Sequence, residues 1–216
     1  MSDWLKLTEE EIDRVLQQVQ EVPPTPVVIR ISAEDVPGEA PVARQRASSV
    51  LTVTQEDLSP AQPQSATDLN LTELETLMFG LVNSARQTHL PRWLGGPNLR
   101  WHDGLAQVAR GHAVDMIKRQ YVEHTTLEGV KVAQRIERQG IRYAACGENI
   151  GVVYGAASHS DQGIYEIHKA FMNQPRRLTN HRGNLLNPIW SHIGIGVAYD
   201  PGGSLIVTQN FIAQYG

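Results

Sequence analysis

One cysteine, Cys146, stands alone in 216 residues, so no internal disulfide forms and packing alone must hold the fold. Aromatic residues are scarce as well. Trp4 is the only one before Phe79, which leaves the first third of the chain too poor in large side chains to build a core of its own. No apolar run approaches the length of a membrane span. Basic clusters are also wanting: the densest spot is Arg176, Arg177 and Arg182, too small for a nucleic-acid surface. The first twenty residues carry Glu9, Glu10, Glu11 and Asp13 where a signal peptide has a positive start and an apolar stretch. Either export does not use that route or the leader lies upstream. His-Glu-x-x-His, Gly-x-Ser-x-Gly and a phosphate-cradling Gly-x-x-x-x-Gly-Lys are all missing, which removes the commonest hydrolase and nucleotide templates.

What is present divides unevenly. Residues 1–68 hold 5 Lys/Arg against 12 Asp/Glu and 7 of the 12 prolines, while the remainder is net basic. That contrast predicts an acidic, Pro-rich tail over 1–69 and a folded domain over 70–216. Within the tail, Thr8 and Glu11 frame a capping box, and Ile12, Val15, Leu16 and Val19 repeat at helical spacing, so a short amphipathic helix is expected at about 9–20. Val27 to Ile31 has the composition of a strand in want of a partner, and 32–67 reads as linker.

The domain opens with Thr72 and Glu75 as a capping box and Leu74, Leu77, Met78 and Leu81 on one helical face. After a Pro/Gly loop (91–97), Asp103 is expected to cap a helix over 104–120 that faces inward through Leu105, Val108, His112 and Met116. Thr125 and Glu128 predict a third helix at 127–139 ending at Gly140, then a strand from Glu148 to Tyr154 and a helix from Ser160 to Asn173. Two final strands, His192 to Tyr199 and Ser204 to Phe211, flank the turn Asp200-Pro201-Gly202-Gly203. Helices first and a hairpin last predict an α+β fold, with helices layered on a small antiparallel sheet.

Eight histidines need sorting. His112 and His168 fall on apolar helix faces and read as satisfied core residues. His89, His102 and His159 read as solvated, and His192 has no evident role. His124, in Tyr-Val-Glu-His-Thr-Thr (121–126), and His181, in Asn-His-Arg-Gly-Asn-Leu-Leu-Asn-Pro (180–188), sit instead among hydrogen-bonding residues. Glu148, in Cys-Gly-Glu-Asn-Ile (146–150), supplies a carboxylate between them in sequence. A Glu and two His that meet can hold a divalent cation or activate a water. Cys146 beside Glu148 reads as a buried thiol rather than a nucleophile. Gly194 and Gly196 lie within a strand, where glycine marks close packing rather than a dinucleotide site.

These strings, with Leu-Val-Asn-Ser-Ala-Arg (81–86), Leu-Arg-Trp-His-Asp-Gly-Leu-Ala (99–106), Ile-Gly-Ile-Gly-Val-Ala-Tyr-Asp-Pro-Gly-Gly (193–203) and Val-Thr-Gln-Asn-Phe (207–211), resemble in order the CAP superfamily. That superfamily comprises cysteine-rich secretory proteins, antigen 5 and pathogenesis-related 1 proteins, and the likeness is to its disulfide-free bacterial branch. The resemblance implies a three-layer α-β-α sandwich whose cleft holds His124, Glu148 and His181. It places Gln174 where eukaryotic members carry a second Glu, and Phe171 where they carry a Trp. Losing that carboxylate implies weak, pH-dependent zinc or other divalent binding at His124 and His181, with Glu148 orienting a His or accepting a proton. The segment 175–180, with its two arginines, is longer than the family's usual link. Extracellular or cell-surface placement, and a lipid, sterol or protein partner, are likewise implied. The leading functional reading is a non-catalytic binding module. A metal-assisted hydrolase with Glu148 as base is the alternative, and a purely structural cluster is the third.

Overall fold

In the computed structural model the described residues are 27–30, 50–52, 70–91, 98–175, 177 and 180–214. The helix expected at 9–20 lies outside them.

The elements in chain order are β1 (Val27–Arg30), β2 (Val50–Thr52), α1 (Leu71–His89), β3 (Arg100–Trp101), α2 (Asp103–Arg119) and α3 (Val132–Arg138). They continue with β4 (Ala145–Tyr154), a 3-10 turn (Ala156–His159), α4 (Gln162–Met172), α5 (His181–Leu185), β5 (His192–Asp200) and β6 (Ser204–Ala213). One sheet runs β2-β1-β4-β6-β5-β3. Its centre, β4-β6-β5, is antiparallel as the hairpin pattern predicts. The sheet as a whole is mixed, however, because β1, β2 and β3 all add in parallel. The partner that Val27–Arg30 lacked in the sequence is Gly151–Tyr154 of β4.

Strand alternation divides the core into two sides. On one side Leu74, Met78 and Val82 of α1, Ile164, Ile167 and Phe171 of α4 and Leu185 of α5 pack with Ile195, Val207 and Phe211. On the other, α2 and α3 cover the opposite parity: Ala113 and Met116 meet Ile150, Val152, Ala198 and Ile206. Leu105, Val108 and Ile136 meet Ile212 there. This is a three-layer α-β-α arrangement. At Gly194 and Gly196 a Cβ would come within 2.1 Å of the α2 backbone, at Ala106 N and Arg110 N. The helix therefore rests directly on β5.

Several boundaries move for identifiable reasons. Asn70, not Thr72, caps α1, accepting from Thr72 N and Glu73 N. That frees Glu75 to turn inward, where it binds Arg110 of α2 through both oxygens and accepts from Val197 N of β5. His102 caps α2 through Nδ1 to Leu105 N, so Asp103 is the first helical residue rather than the cap. The third helix starts at Val132, five residues after the expected point. Thr126 Oγ1 accepts from Val130 N in a turn instead, and Glu128 leaves the capping role to pair with Arg119. Gly140 ends that segment at φ +75° as expected.

Candidate functional site

β1 covers β4 only from Gly151 to Tyr154, so the Ala145–Ile150 half is not bridged by it. Alternation along that half sends Glu148 toward the α2/α3 layer and Asn149 toward the α1/α4/α5 layer. Glu148 is buried completely, and both of its oxygens are engaged. Oε1 lies 2.9 Å from His124 Nδ1, and Oε2 accepts from Arg135 Nη2 at 2.6 Å. Burial pushes this carboxyl upward, but the hydrogen bond to His124 and the charges of Arg135 and His124 outweigh it and hold the group below the usual carboxylate range.

Arg135 also donates from Nη1 to the carbonyls of His124 and Val130, at 2.9 and 3.0 Å. One guanidinium thus fixes the backbone that carries His124 and the carboxylate that orients its ring.

His181 opens α5, whose cap Asn180 accepts from Gly183 N. Its ring stacks on Phe171 at 4.7 Å and 2°, and the amide of Gln174 lies against Nδ1, 3.0 Å from Nε2 and 3.2 Å from Oε1. His181 N donates to Gln174 Oε1. Burial, reinforced by the charge of His124, lowers the His181 pKa to about 3, so the ring is neutral. Its Nε2 is buried without a hydrogen-bond partner. An amide at Nδ1 satisfies either tautomer, whereas a carboxylate there would demand an Nδ1 proton and leave Nε2 as a lone-pair donor.

Behind the histidine lies a buried amide chain. Asn149 donates to His181 O and to Gln209 Oε1, Asn184 donates to Asn149 Oδ1, and Trp190 Nε1 donates to Asn184. A Cβ at Gly147 would stand 2.8 Å from Asn184 Oδ1 and 2.9 Å from Trp190, so the Gly of the Cys-Gly-Glu string makes room for this network.

All four sequence-derived site residues are thus placed in two bonded pairs, His124 with Glu148 and Gln174 with His181. Sequence reasoning missed Arg135, whose helix it placed but whose partner it did not, and the Asn149–Asn184–Gln209 chain, although all three lay within the motifs that carry the resemblance. Other expectations change too. His112 is satisfied at Nε2 by Glu123 O but not at Nδ1, and His168 is only half-buried with Nδ1 lacking a partner. His102 is the α2 cap and not merely solvated. Burial lifts the Cys146 thiol to about 11, which leaves little thiolate for nucleophilic attack.

As a resident metal site the set is a poor fit. Glu148 is committed to His124 and Arg135, Gln174 brings no charge, and no group of three or more His, Cys, Asp or Glu among the described residues is placed to hold an ion. Two imidazoles beside a carboxylate already neutralised by arginine fall short of a closed zinc shell.

The model of the cysteine-rich secretory protein family, CAP, matches residues 79–211. The chain belongs to that family. This CAP chain is 31% identical over 140 residues to the uncharacterized protein YkwD of Bacillus subtilis (strain 168), covering 65% of the chain and 47% of that relative. It is similar in structure to an extracellular protein containing an SCP domain from Bacillus anthracis str. Ames, with TM-score 0.54 and 26% identity over 73% of this chain and 45% of that one. An outer surface protein of Borrelia burgdorferi shares the fold at TM-score 0.56 and 17% identity, over 70% of this chain and 100% of the other. The chain spans less than half the length of the curated relatives it matches.

Proposed function

We propose that this CAP domain is a binding module whose polar cleft, formed by His124, Glu148, Gln174 and His181, receives a lipid, sterol or protein partner without turning it over. The observation that carries the reading is the state of Glu148. A general base needs a free carboxylate oxygen within hydrogen-bond reach of the proton it removes. Both oxygens of Glu148 are bound inside the protein, and the residue is wholly buried. The hydrolase alternative therefore lacks its base. His181, neutral and with its buried Nε2 unpaired, is the polar group of the cluster that the protein itself leaves unsatisfied. Divalent binding at His124 and His181 is at most weak in this reading. An extracellular or surface location accords with the extracellular bacterial neighbour.

A structural role for the cluster is the second reading, and Arg135 favours it by tying the 124–130 segment to β4. The test uses the full chain, its His181→Ala variant and its Glu148→Gln variant. Co-sedimentation with phosphatidylcholine vesicles, with and without cholesterol, reports lipid binding; cross-linking to cell-surface extract reports a protein partner; a panel of ester and peptide substrates reports turnover. Binding lost in His181→Ala with folding intact supports the module. Hydrolysis that disappears in Glu148→Gln overturns it. Binding unchanged in His181→Ala leaves the structural reading in its place.

A further inference from the structure

The residue that most constrains the cluster is one that sequence reasoning did not select. Arg135 is nine-tenths buried on its side chain, and Glu148 wholly so, and their 2.6 Å contact is a desolvated ion pair. Water does not screen it, so the charges cancel locally. The same guanidinium carries the His124 and Val130 carbonyls. Beside His181 stands the neutral amide of Gln174, and His112 lies within electrostatic range of Glu148, Arg135 and His124. We propose that Arg135 is a built-in counter-cation that positions Glu148 and His124 and excludes divalent metal ions from the His124/His181 pair.

A carboxylate behind an imidazole strengthens that ring as a metal ligand by sharing its negative charge through the Nδ1 proton. Here Arg135 has already drawn that charge, so the ring gains little. A divalent ion would enter a buried cluster whose carboxylate is already paired with arginine and would repel the guanidinium held on Glu148. Removing the positive charge without removing the carboxylate reverses both effects. The inference rests on the non-metallic reading of the cleft given above.

The experiment is isothermal titration of zinc chloride into the full chain. Wild type and Arg135→Lys, which keeps the charge, are expected to bind weakly. Arg135→Gln and Arg135→Met are expected to bind at least about tenfold more tightly. The double variant Arg135→Gln/Glu148→Gln returns to the wild-type level, as does Arg135→Gln carrying His124→Ala and His181→Ala. A purely structural arginine would give loss of stability in every variant and no gain of zinc in any. Circular dichroism and urea unfolding establish that each titrated variant is folded. Folded neutral variants that bind zinc no better than wild type would overturn the inference and leave the binding-module reading intact. Tight zinc binding by the wild type would overturn both. If neither neutral variant folds, Gln174→Glu decides: a second carboxylate beside His181, beyond the one that Arg135 pairs, should let zinc bind, and its failure to do so would overturn the charge-balance argument.

Discussion

Acid should destabilise this protein well above the carboxylate range, and His181 gives the size of the effect. Burial first, and then the charge of His124, lowers its pKa from 6.5 to about 3 in the fold. A base depressed on folding is protonated more readily by the unfolded chain. Its contribution is therefore complete above 6.5 and is lost as pH falls from there toward the folded value. Between about pH 7.5 and about pH 5 the unfolded ring takes up nearly a full proton and the folded ring almost none, a loss of about 2 kcal/mol from this residue. His168, lowered to about 4 by burial, adds a loss of about the same size over that interval. His112, also lowered chiefly by burial, acts in the same direction. Urea unfolding at the two pH values gives the wild-type span directly. His181→Gln, which keeps a neutral side chain beside Gln174, should shorten that span by about 2 kcal/mol whatever its own cost, since that cost cancels in the difference. A span equal to that of the wild type would show that His181 already titrates normally in the fold, and the reasoning from its burial would fail.

Other outcomes follow from the same contacts. Glu148→Gln leaves Arg135 buried without its counter-charge and should cost about 3–5 kcal/mol near neutral pH by urea unfolding. Because the folded carboxyl lies below its ordinary value, this penalty should shrink as pH falls through the carboxylate range. Gly196→Ala drives a Cβ to 2.1 Å from Arg110 N, a backbone atom that cannot swing aside, and should cost about 3 kcal/mol or more in thermal unfolding. Cys146, its thiol raised to about 11 by burial, should react with a maleimide at neutral pH far more slowly in the folded chain than in urea.

What was legible in the sequence was what one element decides by itself. The Asp200–Gly203 turn fixed the hairpin because a tight reversal leaves few conformations, and Gly203 takes φ +99° there. The α2 stripe, Leu105, Val108, His112 and Met116, is buried as its spacing predicts. Gly194 and Gly196 sit under α2 because nothing larger fits. The candidate residues His124, Glu148, Gln174 and His181 were named from ordered motifs, and each is held by a bond to another of the four. What the sequence concealed depends on partners distant along the chain. Glu75 has the spacing of a capping residue, yet it serves Arg110 and Val197, 35 and 122 positions away. Arg135 looks like a solvated helix charge until β4 places Glu148 beside it. The five-residue α5 has too few turns to leave a periodic signal. β1 was legible as a strand but its partner was not, and β2 fell in the stretch read as linker, because a parallel pairing has no adjacent hairpin to announce it.

The central claim is that Glu148 is sequestered, so that the cleft binds and does not catalyse. Carboxyl carbon NMR of the full chain, with the Glu148 resonance assigned through Glu148→Gln, tests it most directly by titration from neutral pH into acid, paired with the Arg135 guanidinium resonances. The account predicts a Glu148 signal that stays ionised below the range of the exposed glutamates, with slowly exchanging Arg135 Nη protons that are lost in Glu148→Gln. A Glu148 carboxyl that titrates at or above neutral pH, with Arg135 protons in fast exchange, would mean an available base and would contradict the account.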